Sequence, residues 1–410
     1  MVHMAQLPDS AGADKTGSER EAAVARVVRH AAIHSRYYQD QDWAKRLRNG
    51  KNVHFSELPL TPKAVVKSDA PAFYSSYVPP SEGAVFDKFT SGSTGEPVRI
   101  KKTKLHFTIN AEENARLQHG WGSGQQTGLI RTMSPSKDNP PGEVRRNKKH
   151  PNSWTLYSKE PRPAIDLLCR TRCSHITLYP SQAVSILELE PPLDFLRLIL
   201  TIGEIVPPEL PDLLARFPDC SHYDAYGSIE SGIIAGKCHQ CGNYHIAHRH
   251  LIVEVLDDHD KPATPGTIGR VVVTPLYNLA MPLLRFEIGD FAVLATDTAC
   301  PKSRYAFTKI VGRERNLFRL PDGSRIVPMI PAEEVRLLGV RQFKLLQKSL
   351  FEIDFIYVPS SPEVVLTEAD IQPLIALNIS PLINAKPVPV TEIPKSASGK
   401  YLMHESLVST

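Results

Sequence analysis

The 410-residue sequence has no apolar run approaching the ~18 residues a membrane helix needs, so a helical membrane span is not expected. It has six cysteines, too few in a chain of this length for a disulfide framework. The expected compartment is therefore a reducing cytoplasm, with metal binding the first alternative for any cysteines that cluster. It has little net charge: 48 basic against 44 acidic side chains leave +4. That bias is too thin to draw nucleic acid by electrostatics, so neither nucleic acid nor membrane is an expected partner. Residues 1–20 lack the apolar stretch of a secretory signal and read as a floppy leader.

Proline is in excess, with 35 in 410 residues against the usual share of about 5%. Many short, proline-punctuated connections follow, and no long coiled coil. Hydrophobic residues at 41% and charged residues at 22% are ordinary for a globular chain. At roughly 150 residues per domain, two or three domains are expected.

Apolar Ala23, Val27, Val28, Ala31 and Ala32 recur at helical spacing and predict a helix over residues 19–38. Thr61 before Pro62 is placed to cap a short helix. A strand over 85–89 leads into a glycine-rich turn, followed by a strand over 98–100, a helix over 104–121 and a strand over 128–133. Residues 134–151 are polar, basic and proline-rich, and read as a loop. Helix and strand signals then alternate to residue 226, which argues for a parallel α/β sheet. Strands over 251–256, 269–274 and 291–294 make the next stretch β-rich. The tail from about residue 317 reads as a small α+β unit, with strands over 343–347 and 353–358 and a helix over 368–377.

Four motifs carry chemistry. Thr90-Ser91-Gly92-Ser93-Thr94-Gly95-Glu96-Pro97 combines bending glycines with hydroxyl donors, a nest suited to a polyphosphate. It lacks the Gly-Lys-Ser/Thr of a Walker loop, and a plain hairpin turn has the same composition. Asp224-Ala225-Tyr226-Gly227-Ser228-Ile229-Glu230 sets a ring and a carboxylate about one glycine. Arg285-Phe286-Glu287-Ile288-Gly289-Asp290 places a carboxylate after a turn glycine. Pro394-Lys395-Ser396-Ala397-Ser398-Gly399-Lys400 presents a lysine from a loop, and Gly312-Arg313 marks a boundary before it. Core tyrosine, capping aspartate and solvated lysine explain each alone. They do not explain the ordered set.

That ordered set resembles the adenylate-forming superfamily of acyl-CoA synthetases and adenylation domains, and within it the phenylacetate–CoA ligase-like branch. His34-Ser35-Arg36-Tyr37-Tyr38 and Leu58-Pro59-Leu60-Thr61-Pro62-Lys63 extend the likeness towards the start. The resemblance implies a large N-terminal α/β body over residues 21–316, with a β-rich part, and a small mobile α+β C-terminal domain over 317–410. It implies that Thr90, Ser91, Gly92, Ser93, Thr94 and Gly95 hold the phosphates of ATP. Gly203, Glu204 and Ile205 would line the adenine pocket, with Tyr226 packing on the ring beside Gly227. Glu230 would hold Mg2+, Asp290 would bind the ribose with Arg313 nearby, and Lys400 would bridge the substrate carboxylate and the α-phosphate. Arg315 stands where the hinge segment usually carries an acidic residue, and Tyr401 to His404 follow where a basic residue is common.

The implied reaction is ATP-dependent activation of a carboxylic acid, aromatic in this branch, to an acyl-adenylate, then transfer to coenzyme A. Passing the acyl group to an amine or a carrier protein, adenylating nitrite as a diazotase would, and a non-catalytic nucleotide-binding homologue are the other readings. A homodimer is left open.

Cys238-His239-Gln240-Cys241 has the Cys-x2-Cys spacing of a zinc knuckle. His245 is the favoured third ligand over His239, His248 and His250, and Cys300 the favoured fourth. A closed structural Zn2+ site is expected, two buried thiols being the plain alternative. Cys169 and Cys173, one helical turn apart, read as core. Arg145-Arg146-Asn147-Lys148-Lys149 is a solvated loop, a contact for coenzyme A phosphates, or a lid over the acyl pocket. His222 and Tyr223 fit an acyl site or the sheet interior equally.

Overall fold

The computed structural model describes residues 2–3, 16–90, 97–118, 126–136, 138–207, 209–296, 300, 305–328, 330–393 and 402–408, with backbone alone at 2–3, 16–18, 315 and 332. The chain divides into two compact units, residues 1–120 with 225–310, and residues 121–224 with 311–410.

In the first unit the helix Thr16–His34 lays Val24, Val27, Val28 and Ala31 into a core shared with Ile252, Val271, Val273 and Phe286 of an antiparallel sheet. Alternation builds that sheet. Leu251–Leu256 pairs with Ile268–Pro275, which pairs with Phe286–Leu294. Tyr244–Ile246 lies between Gly232–Lys237 and Ala306–Arg313. The hairpin Val85–Phe89 with Arg99–Thr103 frames the segment expected to hold phosphates. At its mouth Thr90 N donates to Val98 O and Val98 N to the Thr90 hydroxyl, each at 3.0 Å.

The helix Lys104–Gln118 lies against the start of Gly232–Lys237. Asn110 Oδ1 accepts from Ile233 N at 2.6 Å and sits 2.2 Å from where a Cβ on Gly232 would be. With φ at +86°, only glycine fits there.

In the second unit Leu129–Met133, Ser153–Tyr157, His175–Leu178 and Leu198–Ile202 form a parallel sheet. The helices Pro161–Thr171, Pro180–Leu187 and Leu210–Leu214 close one core with Ile130, Leu156, Ile176 and Ile199. A separate core joins Phe318, Phe343, Phe355, Tyr357, Ile371 and Ile375. Its sheet pairs Val340–Ser349 with Glu352–Pro359, flanked by Asn384–Pro389 and His404–Ser406.

Several expectations are corrected. Residues 134–151 are not all loop: Glu143–Arg146 pairs with Ser153–Tyr157. This strand is polar and largely exposed, so it lacks the apolar alternation that announces a strand. Thr61 caps nothing; its hydroxyl donates to Leu284 O at 2.7 Å, and Pro62 holds the cap position of the helix Lys63–Ser68. The strand expected over 291–294 begins at Phe286, so Gly289 and Asp290 lie at an irregularity inside a strand rather than after a turn. Cys173 is buried as expected, 2.7 Å from where a Cβ on Gly128 would be, but Cys169 is exposed.

Candidate functional site

In the first unit the chain leaves Ser221–Ser228, turns through Ile229, Glu230 and Ser231, and returns as Gly232–Lys237. The pairing shifts register between Tyr226 and Gly227, and a Cβ on Gly227 would meet Gly232 O at 2.6 Å. The turn is thereby tight, and Ser228 Oγ accepts from Ser231 N at 3.1 Å across it. Glu230 is drawn inward, its side chain only 7% exposed. Lys63 Nζ lies 3.5 Å from Glu230 Oε1 and donates to Ile288 O at 2.9 Å.

Ile288 leads into Gly289 and Asp290. Gly289 takes φ +75°, which rotates the strand locally. Asp290 Oδ2 accepts from the Tyr226 hydroxyl at 3.0 Å, and Phe307 meets the Tyr226 ring edge-on at 6.2 Å. Tyr226 and Glu230, close in sequence, are thus bound into one constellation with the distant Asp290 and Lys63.

A buried cation flanks it. Lys102 is 4% exposed. Burial lowers its pKa to about 7, Glu230 opposing the fall and Lys88 adding to it. His106, held neutral mainly by burial and then by the Lys102 charge, lies 2.8 Å from Lys102 Nζ and accepts through Nε2. His250, pushed down to about 4 chiefly by burial, adds no competing charge near neutrality. The interior beside Glu230 is therefore positive or neutral.

The second unit holds the other expected residues. Gly203, at φ +90°, ends the strand Leu198–Ile202. Glu204 Oε2 accepts from Ser181 N at 3.0 Å, which caps the helix Pro180–Leu187. Ile205 Cδ1 lies 3.7 Å from where a Cβ on Gly312 would be, and Arg313 follows that glycine at the end of Ala306–Arg313. Thr201 Oγ1 bridges His222 Nε2 at 2.8 Å and Asp224 Oδ1 at 2.5 Å, while Tyr223 is sheet interior. Ser91, Gly92, Ser93, Thr94, Gly95 and Lys400 lie outside the described residues.

The ligand atoms of Cys238, Cys241, His245 and Cys300 all fall within 4.8 Å of one another. Cys238 Sγ is 4.0 Å from Cys300 Sγ, and Cys241 Sγ is 3.3 Å from His245 Nε2. Tetrahedral Zn–S bonds of ~2.3 Å put two sulfurs ~3.8 Å apart, so these donors fit that ion. The knuckle forms because Gly242, at φ +74°, donates to Cys238 O at 2.9 Å while Cys238 N donates to Asn243 O at 2.8 Å. Burial raises both knuckle thiols. At Cys238 the N–H groups of Gln240 and Cys241 outweigh it and hold the thiol below its ordinary range. Cys241 stays high, at about 11. His248 and His250 lie outside this cluster.

No family model and no curated protein matches the sequence. Solved structures do. A 2-hydroxyisobutyryl-CoA ligase in the postadenylation state matches with a TM-score of 0.68 over 98% of this chain and 94% of its own, at 16% identity. The fold is that of the adenylate-forming enzymes. The anthranilate CoA ligase AuaEII in complex with anthranoyl-AMP matches at 0.55 and 16% identity, over 77% of this chain and 65% of its own. The amide bond synthetase McbA from Marinactinospora thermotolerans matches at 0.53 and 15% identity, over 77% of this chain and 66% of its own.

Lys63, Lys102 and His106 were not singled out as site residues by the sequence. Lys63 stands in a segment that carries the resemblance, yet no spacing ties it to Glu230 or Ile288. Lys102 is one of three lysines among residues 101–104, and nothing local marks it as the buried one.

Proposed function

We propose that this chain activates a carboxylic acid with ATP and transfers the acyl group to coenzyme A. The observation that carries the reading is the constellation of Tyr226, Asp290, Glu230 and Lys63 on an adenylate-forming fold. One carboxylate oxygen of the acid attacks the α-phosphorus. The bond to the β-phosphate breaks, and pyrophosphate leaves with its charge. The thiol then attacks the acyl carbonyl, and AMP departs.

The chain's own groups position these anions. The Tyr226 face would take the adenine and Asp290 the ribose hydroxyls. The segment from Thr90 to Gly95 would cradle the phosphates with N–H and hydroxyl donors. Glu230 is one buried carboxylate, which suits Mg2+ shared with phosphate oxygens; the ion would neutralise charge on them. Lys400 would supply the cation where two anions meet, and Gly203, Glu204, Ile205 and Arg313 would complete the nucleotide pocket. The domain division at residues 316 and 317, supported by the separate core of 318–385, would let the lysine approach and withdraw. Cys238, Cys241, His245 and Cys300 would bind a structural Zn2+.

The acid is read as aromatic, and the working place as the cytoplasm. Pyrophosphate release is measured with a panel of aryl acids, with and without coenzyme A. Release that depends on an aryl acid, with thioester formed when the thiol is present, supports the reading. Product only with an amine or a carrier protein moves the acceptor, and no release with any acid overturns the adenylation.

A further inference from the structure

We propose that Lys63 is a positioning residue for nucleotide: it sets the spacing between the Glu230 turn and the Ile288–Asp290 segment on which the nucleotide would rest. The inference rests on the nucleotide reading above and adds a residue to it.

The backbone that presents Lys63 is sewn to that same segment. Thr61 N donates to Arg285 O at 2.9 Å and Glu287 N to Thr61 O at 3.0 Å. The Thr61 hydroxyl donates to Leu284 O, and the Tyr38 hydroxyl lies 3.3 Å from it. Thr61 is thus locked two residues before the lysine, and Pro62 fixes the entry to Lys63–Ser68. The backbone that carries the ammonium is therefore held at both Arg285 and Glu287.

From there it meets two acceptors on separate elements, Glu230 Oε1 and Ile288 O. Ile288 is joined through Gly289 to Asp290, Asp290 accepts from Tyr226, and Tyr226 runs along its strand back to Glu230. These contacts close a ring. Removing the Lys63 ammonium opens it, while the Tyr226–Asp290 bond remains. Glu230 would then keep the charge of Lys102, which acts on it electrostatically and is itself held by His106. An ammonium suits the task because its three donors point apart and can serve acceptors on two elements.

The test uses the full chain with Lys63→Met and Lys63→Arg. ATP affinity is read by calorimetry, KM and kcat by ATP–pyrophosphate exchange, and folding by thermal unfolding. Lys63→Met is expected to raise Kd and KM for ATP by about tenfold, the size of one lost charge-assisted hydrogen bond, with the KM for the acid unchanged. Lys63→Arg should recover most of that affinity, since it keeps charge and donors. ATP affinity unchanged in Lys63→Met overturns the inference. So does a loss in both variants that merely follows a fall in Tm. Failure of the wild-type chain to take up ATP instead overturns the nucleotide reading, and this inference with it.

Discussion

Lys102 is a lysine with its ammonium inside the protein, 4% exposed, with a neutral imidazole as its hydrogen-bond partner. Its pKa of about 7 lies far below the ordinary lysine value of 10.5. Between those two values the unfolded chain holds a proton that the folded chain does not. Folded stability therefore rises with pH across that window, and the burial penalty is full only below its lower edge. The groups facing it are His106, Glu230 and Lys88, with His250 behind His106. Lys102→Met removes the titration. The variant should exceed the wild type in unfolding free energy by on the order of a few kcal/mol near pH 6, and the gap should narrow towards pH 10. Denaturant unfolding at the two pH values measures it. A gap that does not change with pH would show that Lys102 carries no such penalty.

The cysteine knuckle works on strands rather than on chemistry. Cys238 follows directly on Gly232–Lys237, His245 is the middle residue of Tyr244–Ile246, and Cys300 precedes Ala306–Arg313. His245 pairs with Gly236 on one side and with Ala306 on the other. A bound ion would therefore tie the ends of three neighbouring strands. Purified protein should contain one zinc per chain by elemental analysis. Chelation should lower Tm by several degrees, since metal binding is coupled to folding at such a site. Cys241→Ser should reduce the zinc content, and metal-free protein with an unchanged Tm would refute the structural role. One of these strands, Gly232–Lys237, also leaves the Glu230 turn, so on the proposed function chelation should weaken nucleotide uptake as stability falls.

For the molecule as a whole, the proposed function turns on Lys400. It belongs to the tail whose core, from Phe318 to Ala385, is built without residues of the other two cores. On the proposed function, a tail with its own core would let the lysine approach a nucleotide and withdraw. Lys400→Ala should cut acyl-adenylate formation by about 10²–10³-fold, the usual effect of losing a donor aimed at developing charge, and leave Tm unchanged. Undiminished ATP–pyrophosphate exchange in that variant would remove Lys400 from the reaction. The adenylation step proposed above would need no general base, because the attacking carboxylate and the departing pyrophosphate are both anions at neutral pH; the later thiol attack would release the thiol proton to water. Positioning and charge neutralisation then carry most of the barrier reduction.

The sequence by itself determined the alternation of helices and strands, the β-rich stretch, the separate α+β tail and the Cys238–Cys241 knuckle. Periodicity and spacing are local, and each of these features repeats or closes within a few tens of residues. It also marked Tyr226, Glu230 and Asp290, because a glycine beside a ring or a carboxylate is a local sign of a site. Only the tertiary structure decided that Tyr226 donates to Asp290 across 64 positions, that Lys63 reaches Glu230 and Ile288, and that Lys102 is buried among three lysines of similar appearance. It likewise turned part of a presumed loop into the exposed strand Glu143–Arg146. The reason is common to all of them: burial and long-range pairing depend on which surfaces meet when strands register, and a chain read in order contains no term for that meeting.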